Sequence, residues 1–169
     1  PETEKIVKSL KNNNGIYLVP AFTGLGAPHW NANSRGVLSG ITRDTSPKEI
    51  IRATIEAVAY QTYDLFEAMK HDGLRPRIVK VDGGMVMNNW FSQFLSDVVN
   101  VKVLRPKVQE TTALGAAFMA GLHIGVYKSL KDISRNWSLD KKFSPKMNTQ
   151  SRVALLKGWM KAIKRTLIN

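Results

Sequence analysis

Two consecutive glycines between a β-branched run and a helical pattern constrain this chain more than any other stretch. Residues 78–81, Ile-Val-Lys-Val, predict a short buried strand that stops at Asp82. Gly83 and Gly84 then allow a sharp turn, because glycine accepts positive φ and lets another group approach the backbone closely. Apolar residues at helical spacing follow over residues 90–99. The stretch therefore predicts a strand, a tight turn and a helix in direct succession.

A ligand is one explanation for this junction. Asn88 or Asn89 is the expected N-cap of the helix, and the positive end of its dipole would lie near the turn. Helix starts of this kind bind anions, and ligands of parallel α/β sheets gather where strands end and helices begin. An ordinary tight turn is the competing interpretation, and two glycines by themselves leave both open.

Length and composition predict one globular domain with its own core. The chain has 169 residues, of which 43% are hydrophobic. It contains no cysteine, which excludes a disulfide framework, a thiolate nucleophile and a thiolate metal ligand. No apolar run approaches the roughly 18 residues of a membrane span, and the polar N-terminus lacks a signal-peptide core. We therefore expect a cytoplasmic protein with no membrane span.

The first residue, Pro1, indicates a segment of a longer protein, because an initiator methionine is absent. We expect residues 1–14 to lead in from an upstream segment and residues 15–169 to form the domain. A site shared between two domains would then lie only partly within this chain.

The net charge of +12 is concentrated near the C-terminus. Residues 123–169 contain 11 Lys and Arg against 2 Asp and Glu. Aromatic residues do not alternate with these basic residues as they do on base-stacking platforms. A solvated basic face is therefore predicted in preference to a nucleic-acid groove.

Two short strands and an unusual loop precede the long helix. Residues 15–19 and 36–40 have the apolar, β-branched character of strands. The loop between them, residues 20–30, is rich in glycine and proline yet carries two aromatic residues and a leucine. Such a loop is expected to pack on the domain as an Ω-like loop, and contact with a substrate is the alternative.

A long helix has clear start and stop signals. Ser46 is the expected N-cap, a proline follows it, and Glu49 completes a capping box. Gly73 is expected to end the helix. Glu56 lies near its apolar face, where it either pairs with Arg52 or faces a ligand. The four-residue spacing favours the ion pair.

Further elements follow the glycine turn. Residues 101–104 predict a strand, and residues 110–121 predict a helix that is capped by Thr111 or Thr112 and consists largely of small residues. Small residues favour tight helix packing over a ligand role. After a loosely organised segment, residues 151–167 predict an amphipathic helix docked on its own domain. Helices alternating with buried strands predict an α/β fold with a largely parallel sheet.

The motifs together resemble the C-terminal part of the FGGY family of carbohydrate kinases. The loop form at residues 23–28 resembles the members that phosphorylate glycerol, whereas pentulose kinases carry charged residues there. Asn31 and Ala32 depart from the acidic residue and proline that are usual in the family. Four segments carry the resemblance and cover most of residues 15–125: Val19–Trp30, Gly36–Thr62, Val81–Asn88 and Glu110–Ala117.

The resemblance implies an actin-like (ribonuclease H-like) ATPase domain, one of two similar halves around a cleft. It implies that Gly84 and Asn88 contact the nucleotide, with Gly83 beside them. ATP with Mg²⁺ would phosphorylate glycerol to sn-glycerol 3-phosphate and ADP. The glycerol-binding residues and the catalytic base are implied upstream of Pro1, so we expect no catalytic residue or metal ligand here and no activity from this chain alone.

Two alternatives remain open on the sequence. The first is another sugar or polyol kinase of the same family, and the second is a non-catalytic nucleotide-binding module that kept the fold. Asp82 at the strand end could reach a nucleotide or metal through water, although a structural role is favoured. The sequence also leaves the formation of a homo-oligomer open.

Overall fold

The computed structural model of the chain describes residues 2–167 and has helices packed on two small β-sheets. The helices are α1 Glu2–Lys8, α2 Pro47–His71, α3 Asn89–Val99, α4 Thr111–His123, α5 Leu130–Ser134 and α6 Thr149–Leu167. The strands are β1 Tyr17–Val19, β2 Val37–Ser39, β3 Ile78–Lys80, β4 Lys102–Pro106 and β5 Leu139–Phe143, and a 3₁₀ turn spans Gly84–Met87.

The sheets confirm the α/β fold but limit its parallel part to one pair of strands. β3 and β4 are parallel, with α3 as the crossover, whereas β4 pairs antiparallel with β5, and β1 with β2. The prediction of a largely parallel sheet is therefore wrong for the described residues. β1 and β2 are joined by a loop without a crossover helix, so they run antiparallel. The strand β5 was not predicted, because Asp140, Lys141 and Lys142 interrupt its apolar pattern.

The strand before the glycine turn is more exposed than its sequence predicts. β3 lies at an edge of its sheet, and Ile78 is 52% exposed. The prediction of a buried strand is thus wrong within residues 2–167. Its cause is the edge position, which leaves one side of β3 without a neighbouring strand in this part of the chain.

The long helix α2 begins and ends as predicted. The backbone N–H of Ser46 donates to Glu49 Oε2 over 3.0 Å, and the backbone N–H of Lys48 donates to Ser46 Oγ over 3.3 Å. The hydroxyl of Ser46 also donates to Glu49 and lowers the pKa of that carboxyl group. Gly73 follows the helix with φ +83°. The capping box and the glycine stop are therefore both confirmed.

The predicted ion pair within α2 is confirmed and is buried. Arg52 Nε lies 2.7 Å from Glu56 Oε1, and Glu56 is fully buried. Asn13 and Tyr60 donate to the other carboxylate oxygen over 3.1 Å each. Burial raises the pKa of Glu56, and the hydrogen bond and charge of Arg52 oppose that rise. Glu56 therefore organises the interior and does not face a ligand.

An aromatic cluster around Tyr60 forms the centre of the core. Its ring centroid lies 5.3 Å from that of Trp159, 5.6 Å from that of Phe94 and 5.7 Å from that of Tyr17. Trp159 on α6 is fully buried, which confirms that the last helix docks on its own domain. Ile168 and Asn169 lie outside the described residues.

Residues 2–14 belong to the same packed body. Val7 on α1 is fully buried, and Glu4 on α1 accepts a hydrogen bond of 3.2 Å from the backbone of Asn89. The prediction treated this segment as a lead-in from upstream. In the structure it packs on α2 and α3, because its apolar residue and its carboxylate both find partners there. Pro1 lies outside the described residues.

The loop of residues 20–30 packs only in part. Leu25 is buried, and His29 Nε2 lies 3.2 Å from Asp64 Oδ2 on α2. Phe22 and Trp30, however, are 74% and 78% exposed. The expected Ω-like packing therefore holds for one side of the loop.

The small-residue helix α4 differs from its prediction in two ways. Its N-cap position is Glu110, without a side-chain cap, so the predicted cap by Thr111 or Thr112 is wrong. The expected tight packing is also absent within residues 2–167, since Gly121 is the one residue of α4 that is buried there. No helix in the described part of the chain is both long and apolar enough to cross a membrane.

Candidate functional site

The glycine turn lies between the end of β3 and the start of α3. Gly83 has φ +83°, a conformation that favours glycine, and its backbone N–H donates to Gln109 O over 3.2 Å. The backbone of Gly84 is not in the left-handed region, so of the two predicted positions only Gly83 depends on glycine for its φ. A Cβ added at Gly84 would meet no atom within 4 Å among residues 2–167. One face of this turn is therefore open to a ligand.

Asn88 is the N-cap of α3. Its Oδ1 accepts a hydrogen bond of 3.0 Å from the backbone N–H of Phe91, and its backbone N–H donates to Met85 O over 3.1 Å. The residue is 4% exposed. Its Nδ2 makes one long hydrogen bond of 3.5 Å, to Thr3 Oγ1 on α1. The structure thus decides between the two predicted caps in favour of Asn88, and its amide nitrogen is the atom with unused hydrogen-bonding capacity.

The positive end of the α3 dipole is already neutralised within the chain. Glu4 Oε2 accepts from the backbone N–H of Asn89 at 3.2 Å, beside the cap made by Asn88. The hydrogen bond from Lys8 lowers the pKa of Glu4, so this group stays ionised at neutral pH. A second anion would be repelled there. An anionic ligand is therefore favoured at the turn itself and not at the start of α3.

The start of α4 lies next to the turn, through the hydrogen bond between Gly83 and Gln109. No side chain among residues 2–167 caps the N-terminus of α4. Its first backbone N–H groups keep their partial positive charge. The turn after β3 and the start of α4 follow two adjacent parallel strands, at the edge where α/β sheets bind ligands.

Two grooves flank β3. One has a volume of about 270 Å³ and runs beside the turn, with Val81, Asp82 and Met85 in its wall. The other, of about 260 Å³, lies between β3 and α4, where Lys80 Nζ sits 4.2 Å from the ring centroid of Trp137. Larger openings of about 490 and 520 Å³ lie beside Arg52 and beside His29, away from the turn.

The carboxylates of the described residues do not form a metal centre. No group of three or more His, Asp or Glu side chains is arranged to hold a metal ion in residues 2–167. Asp82 is the carboxylate at the turn itself, and its side chain makes no hydrogen bond or ion pair within that range. Mg²⁺ in kinase sites is usually held by one or two carboxylates together with phosphate oxygens and water, so Asp82 alone does not complete such a site.

Sequence reasoning missed a group of residues on β4 and β5 that support the turn and the start of α3. Arg105 on β4 donates through Nη1 to the carbonyl oxygen of Val86 at 2.7 Å, and its Nε lies 2.7 Å from Asp140 Oδ2 on β5. Lys141, the next residue of β5, donates to Asn89 Oδ1 over 3.1 Å. Nothing in the local sequence indicated these contacts, because β5 lies more than 30 residues further along the chain.

Several known proteins are similar to most of this chain. The model of the C-terminal domain of the FGGY family of carbohydrate kinases matches residues 3–124. Glycerol kinase 1 of Pseudomonas aeruginosa is 51% identical over 164 residues, which are 97% of this chain and 33% of that protein. Glycerol kinase of Rhodospirillum centenum is 51% identical over 165 residues, 98% of this chain and 33% of that protein.

A solved structure gives the same correspondence in three dimensions. The crystal structure of Plasmodium falciparum glycerol kinase with ADP superposes with a TM-score of 0.85 and 36% sequence identity. The match covers 99% of this chain and 34% of that one. The chain therefore spans about a third of the length of the relatives it matches, and its α/β fold is that of the actin-like kinases.

Proposed function

Because the chain belongs to the FGGY family of carbohydrate kinases, we propose that it forms the C-terminal, nucleotide-binding part of a glycerol kinase. The whole protein would transfer the γ-phosphoryl group of ATP to a hydroxyl group of glycerol, giving sn-glycerol 3-phosphate and ADP. The relatives that are 51% identical over nearly the entire chain support this substrate. The neighbour solved with ADP supports the nucleotide.

The observation that carries the proposal is the open backbone of the turn. Among residues 2–167, no atom beyond the adjacent residues lies within 4 Å of the place where a side chain at Gly84 would begin, and the uncapped start of α4 lies beside it. Gly84 would touch the nucleotide through its backbone, and Gly83 would give the turn its shape. Asn88 would donate from Nδ2, since its Oδ1 already caps α3.

This part of the enzyme would bind and orient ATP and leave the chemistry to other residues. Phosphoryl transfer depends mainly on positioning the reactants and on neutralising charge. A domain that binds and orients the nucleotide therefore contributes to catalysis without supplying a reacting group. Mg²⁺ supplies charge neutralisation at the phosphates in such reactions. The described residues do not fit a magnesium centre by themselves, so we assign no step to a metal held by this chain. Glycerol and the base that takes its proton would be held outside this chain.

The proposal is tested with Gly84→Val in the full-length protein. The added side chain would occupy the space of the nucleotide, and we expect the KM for ATP to rise at least tenfold while the KM for glycerol and the melting temperature stay within experimental error. Gly26→Val is the matched control, because a Cβ at Gly26 would also meet no atom within 4 Å in the described part of the chain, but Gly26 lies in the loop of residues 20–30. An unchanged KM for ATP in Gly84→Val would mean that the turn is architecture only.

Asn88→Ala is expected to be milder. Loss of one hydrogen bond to the nucleotide weakens affinity about five- to thirty-fold, or about 1–2 kcal/mol. Because Asn88 is also the N-cap of α3, the same change should lower stability by about 1 kcal/mol. Asn88→Ser separates the two effects, since serine caps helices well but cannot donate from Nδ2. Normal ATP affinity in both variants would restrict Asn88 to capping.

A second test asks whether the 169-residue chain catalyses the reaction alone. The purified 169-residue chain should form no glycerol 3-phosphate from glycerol and ATP, because the reacting groups are expected elsewhere. Product formation above that of a mock preparation would contradict this assignment. Kinase activity of the full-length protein on a panel of polyols and ketoses separates a glycerol kinase from other members of the family, and inactivity on the whole panel would indicate a non-catalytic nucleotide-binding module.

A further inference from the structure

The carbonyl group of Val86 receives two side-chain hydrogen bonds. Arg105 Nη1 donates to it at 2.7 Å and Ser92 Oγ at 3.0 Å. Val86 is buried in the middle of the 3₁₀ turn that begins at Gly84. The two donors come from different elements, Arg105 from β4 and Ser92 from α3. Together they fix the carbonyl of Val86 relative to the sheet and to the following helix.

The turn has few other restraints. Backbone hydrogen bonds hold it at Gly83, which donates to Gln109 O, and at Asn88, which donates to Met85 O. An isolated 3₁₀ turn is weakly stable, because its hydrogen-bond geometry is poorer than that of an α-helix. The position of Gly84 therefore depends on the contacts that Val86 makes two residues later.

Arg105 is itself held firmly. Its residue surface is 6% exposed, and its Nε lies 2.7 Å from Asp140 Oδ2 on β5. Its guanidinium carbon lies 5.6 Å from the ring centroid of Phe143. The planar guanidinium group donates to Asp140 and to Val86 at the same time, with fixed geometry between the two hydrogen bonds. Lysine, with one flexible ammonium group, cannot reproduce both directions.

We propose that Arg105 is a positioning residue for nucleotide binding, which sets the place of the Gly84 backbone by fixing the carbonyl group of Val86. The inference rests on the proposed function of the turn. Arg105 itself does not touch the nucleotide, and its effect passes through Val86. Ser92 shares this role from α3, and Asp140 supports it from the strand that the sequence did not reveal.

The test compares three variants in the full-length protein: Arg105→Met, Arg105→Lys and Ser92→Ala. We expect Arg105→Met to weaken ADP binding and raise the KM for ATP about tenfold or more, with kcat at saturating ATP changed by less than twofold. Arg105→Lys keeps the charge but not both hydrogen bonds, so a loss of about three- to tenfold is expected. Ser92→Ala should cost about two- to fivefold. Titration calorimetry with ADP and steady-state kinetics measure these values.

Arg135→Met is the matched control. It removes an arginine from another ion pair, with Asp132 on α5, in which the side chain of Arg135 is 71% exposed and that of Asp132 is half-buried. Its ADP affinity should equal that of the wild type. If Arg105→Met does not fold, as thermal melts would reveal, Arg105→Lys and Ser92→Ala still test the proposal. Normal ADP affinity in folded Arg105→Lys and Ser92→Ala proteins would overturn it.

A double-mutant cycle with Gly84→Val separates positioning from a general loss of stability. If Arg105 acts through the turn, Arg105→Met should have little further effect on ADP binding once Gly84→Val has blocked the turn. An effect of equal size in both backgrounds would assign Arg105 another role and refute the inference. Normal ADP affinity in Gly84→Val alone would instead refute the proposed function, so the two failures are distinguishable.

Discussion

Helices α4 and α6 contrast in a way that sequence composition does not suggest. α4 consists almost entirely of small and apolar residues, yet one of its residues, Gly121, is buried within the described part of the chain. α6 carries five basic residues and still buries Leu156, Trp159, Ala162, Ile163 and Thr166. The difference is periodicity, because α6 presents an apolar stripe that packs on β1, β2 and α3, whereas α4 carries apolar residues on every side.

The same contrast divides the molecule into two regions. The core region comprises α1, α2, α3 and α6 with the two β-sheets and the glycine turn, and it contains the aromatic cluster at Tyr60. The outer region comprises α4 and α5 with residues 107–137 and makes few contacts with the rest. The average hydrophobicity of a helix does not predict whether it is packed. Packing depends on whether its apolar face fits an apolar face of a neighbouring element. The candidate nucleotide site lies where the two regions meet, at the hydrogen bond between Gly83 and Gln109.

The largest expected effect lies in the core region, at Glu56→Gln. The change leaves the buried Arg52 without its carboxylate, and we expect the free energy of unfolding to fall by about 3 kcal/mol. Glu67→Gln is the control, because Glu67 pairs with Lys70 on the exposed side of the same helix and should cost less than about 1 kcal/mol. Urea denaturation of both variants measures the difference. Equal losses would show that burial does not separate these two pairs.

A smaller loss is expected for Gly158→Ala on α6. A Cβ at this position would overlap the side chain of Tyr17, which is buried and donates to Leu155 O over 3.1 Å. Overpacking of this kind costs about 1–3 kcal/mol. Thermal denaturation with measurement of the unfolding enthalpy detects it. Wild-type stability in Gly158→Ala would mean that α6 can shift away from β1, and the core region would then be less rigid than its packing implies.

The pH dependence of the core region should change with Asp64→Asn. Asp64 Oδ2 accepts from Trp159 Nε1 at 2.9 Å, and burial raises the pKa of Asp64, opposed by its hydrogen bonds with Trp159 and His29. A raised pKa means that the folded state binds the proton more tightly, so this group lowers stability as the pH rises from 3.8 through the folded-state pKa.

The comparison of Asp64→Asn with the wild type therefore has a definite sign. The stability of the variant relative to the wild type should be greatest near pH 7 and should diminish as the pH falls toward 4. Urea denaturation at several pH values measures it. A stability difference that is independent of pH would show that Asp64 does not titrate differently in the folded and unfolded states.

The smallest effect is expected in the outer region, at Gly115→Ala. A Cβ there would meet no atom within 4 Å in the part of the chain that the structure describes, so the substitution should stabilise α4 by up to about 1 kcal/mol through helix propensity alone. Gly158→Ala and Gly115→Ala are the same substitution inside a helix, one in each region. The first is expected to lower the stability of the protein and the second to raise it. A loss of stability in Gly115→Ala would indicate that α4 packs on another surface in solution.

The local features of this protein could be predicted from the sequence alone. The capping box at Ser46, the stop at Gly73, the pair between Arg52 and Glu56 and the glycine turn all follow from residues within a few positions of one another. Such signals are readable because the interacting groups are brought together by one turn of backbone, whatever the rest of the chain does. The family resemblance added the expected roles of Gly84 and Asn88.

Contacts between residues far apart in the chain became known only from the tertiary structure. In the structure Asn88, and not Asn89, is the N-cap of α3, and Glu4 accepts a hydrogen bond at the start of that helix. Arg105 contacts both Val86 and Asp140. β3 also lies exposed at the edge of its sheet, and Gly121 is the one buried residue of α4 among residues 2–167. These outcomes depend on which surfaces meet, and residues far apart in the chain carry no local pattern that records their meeting.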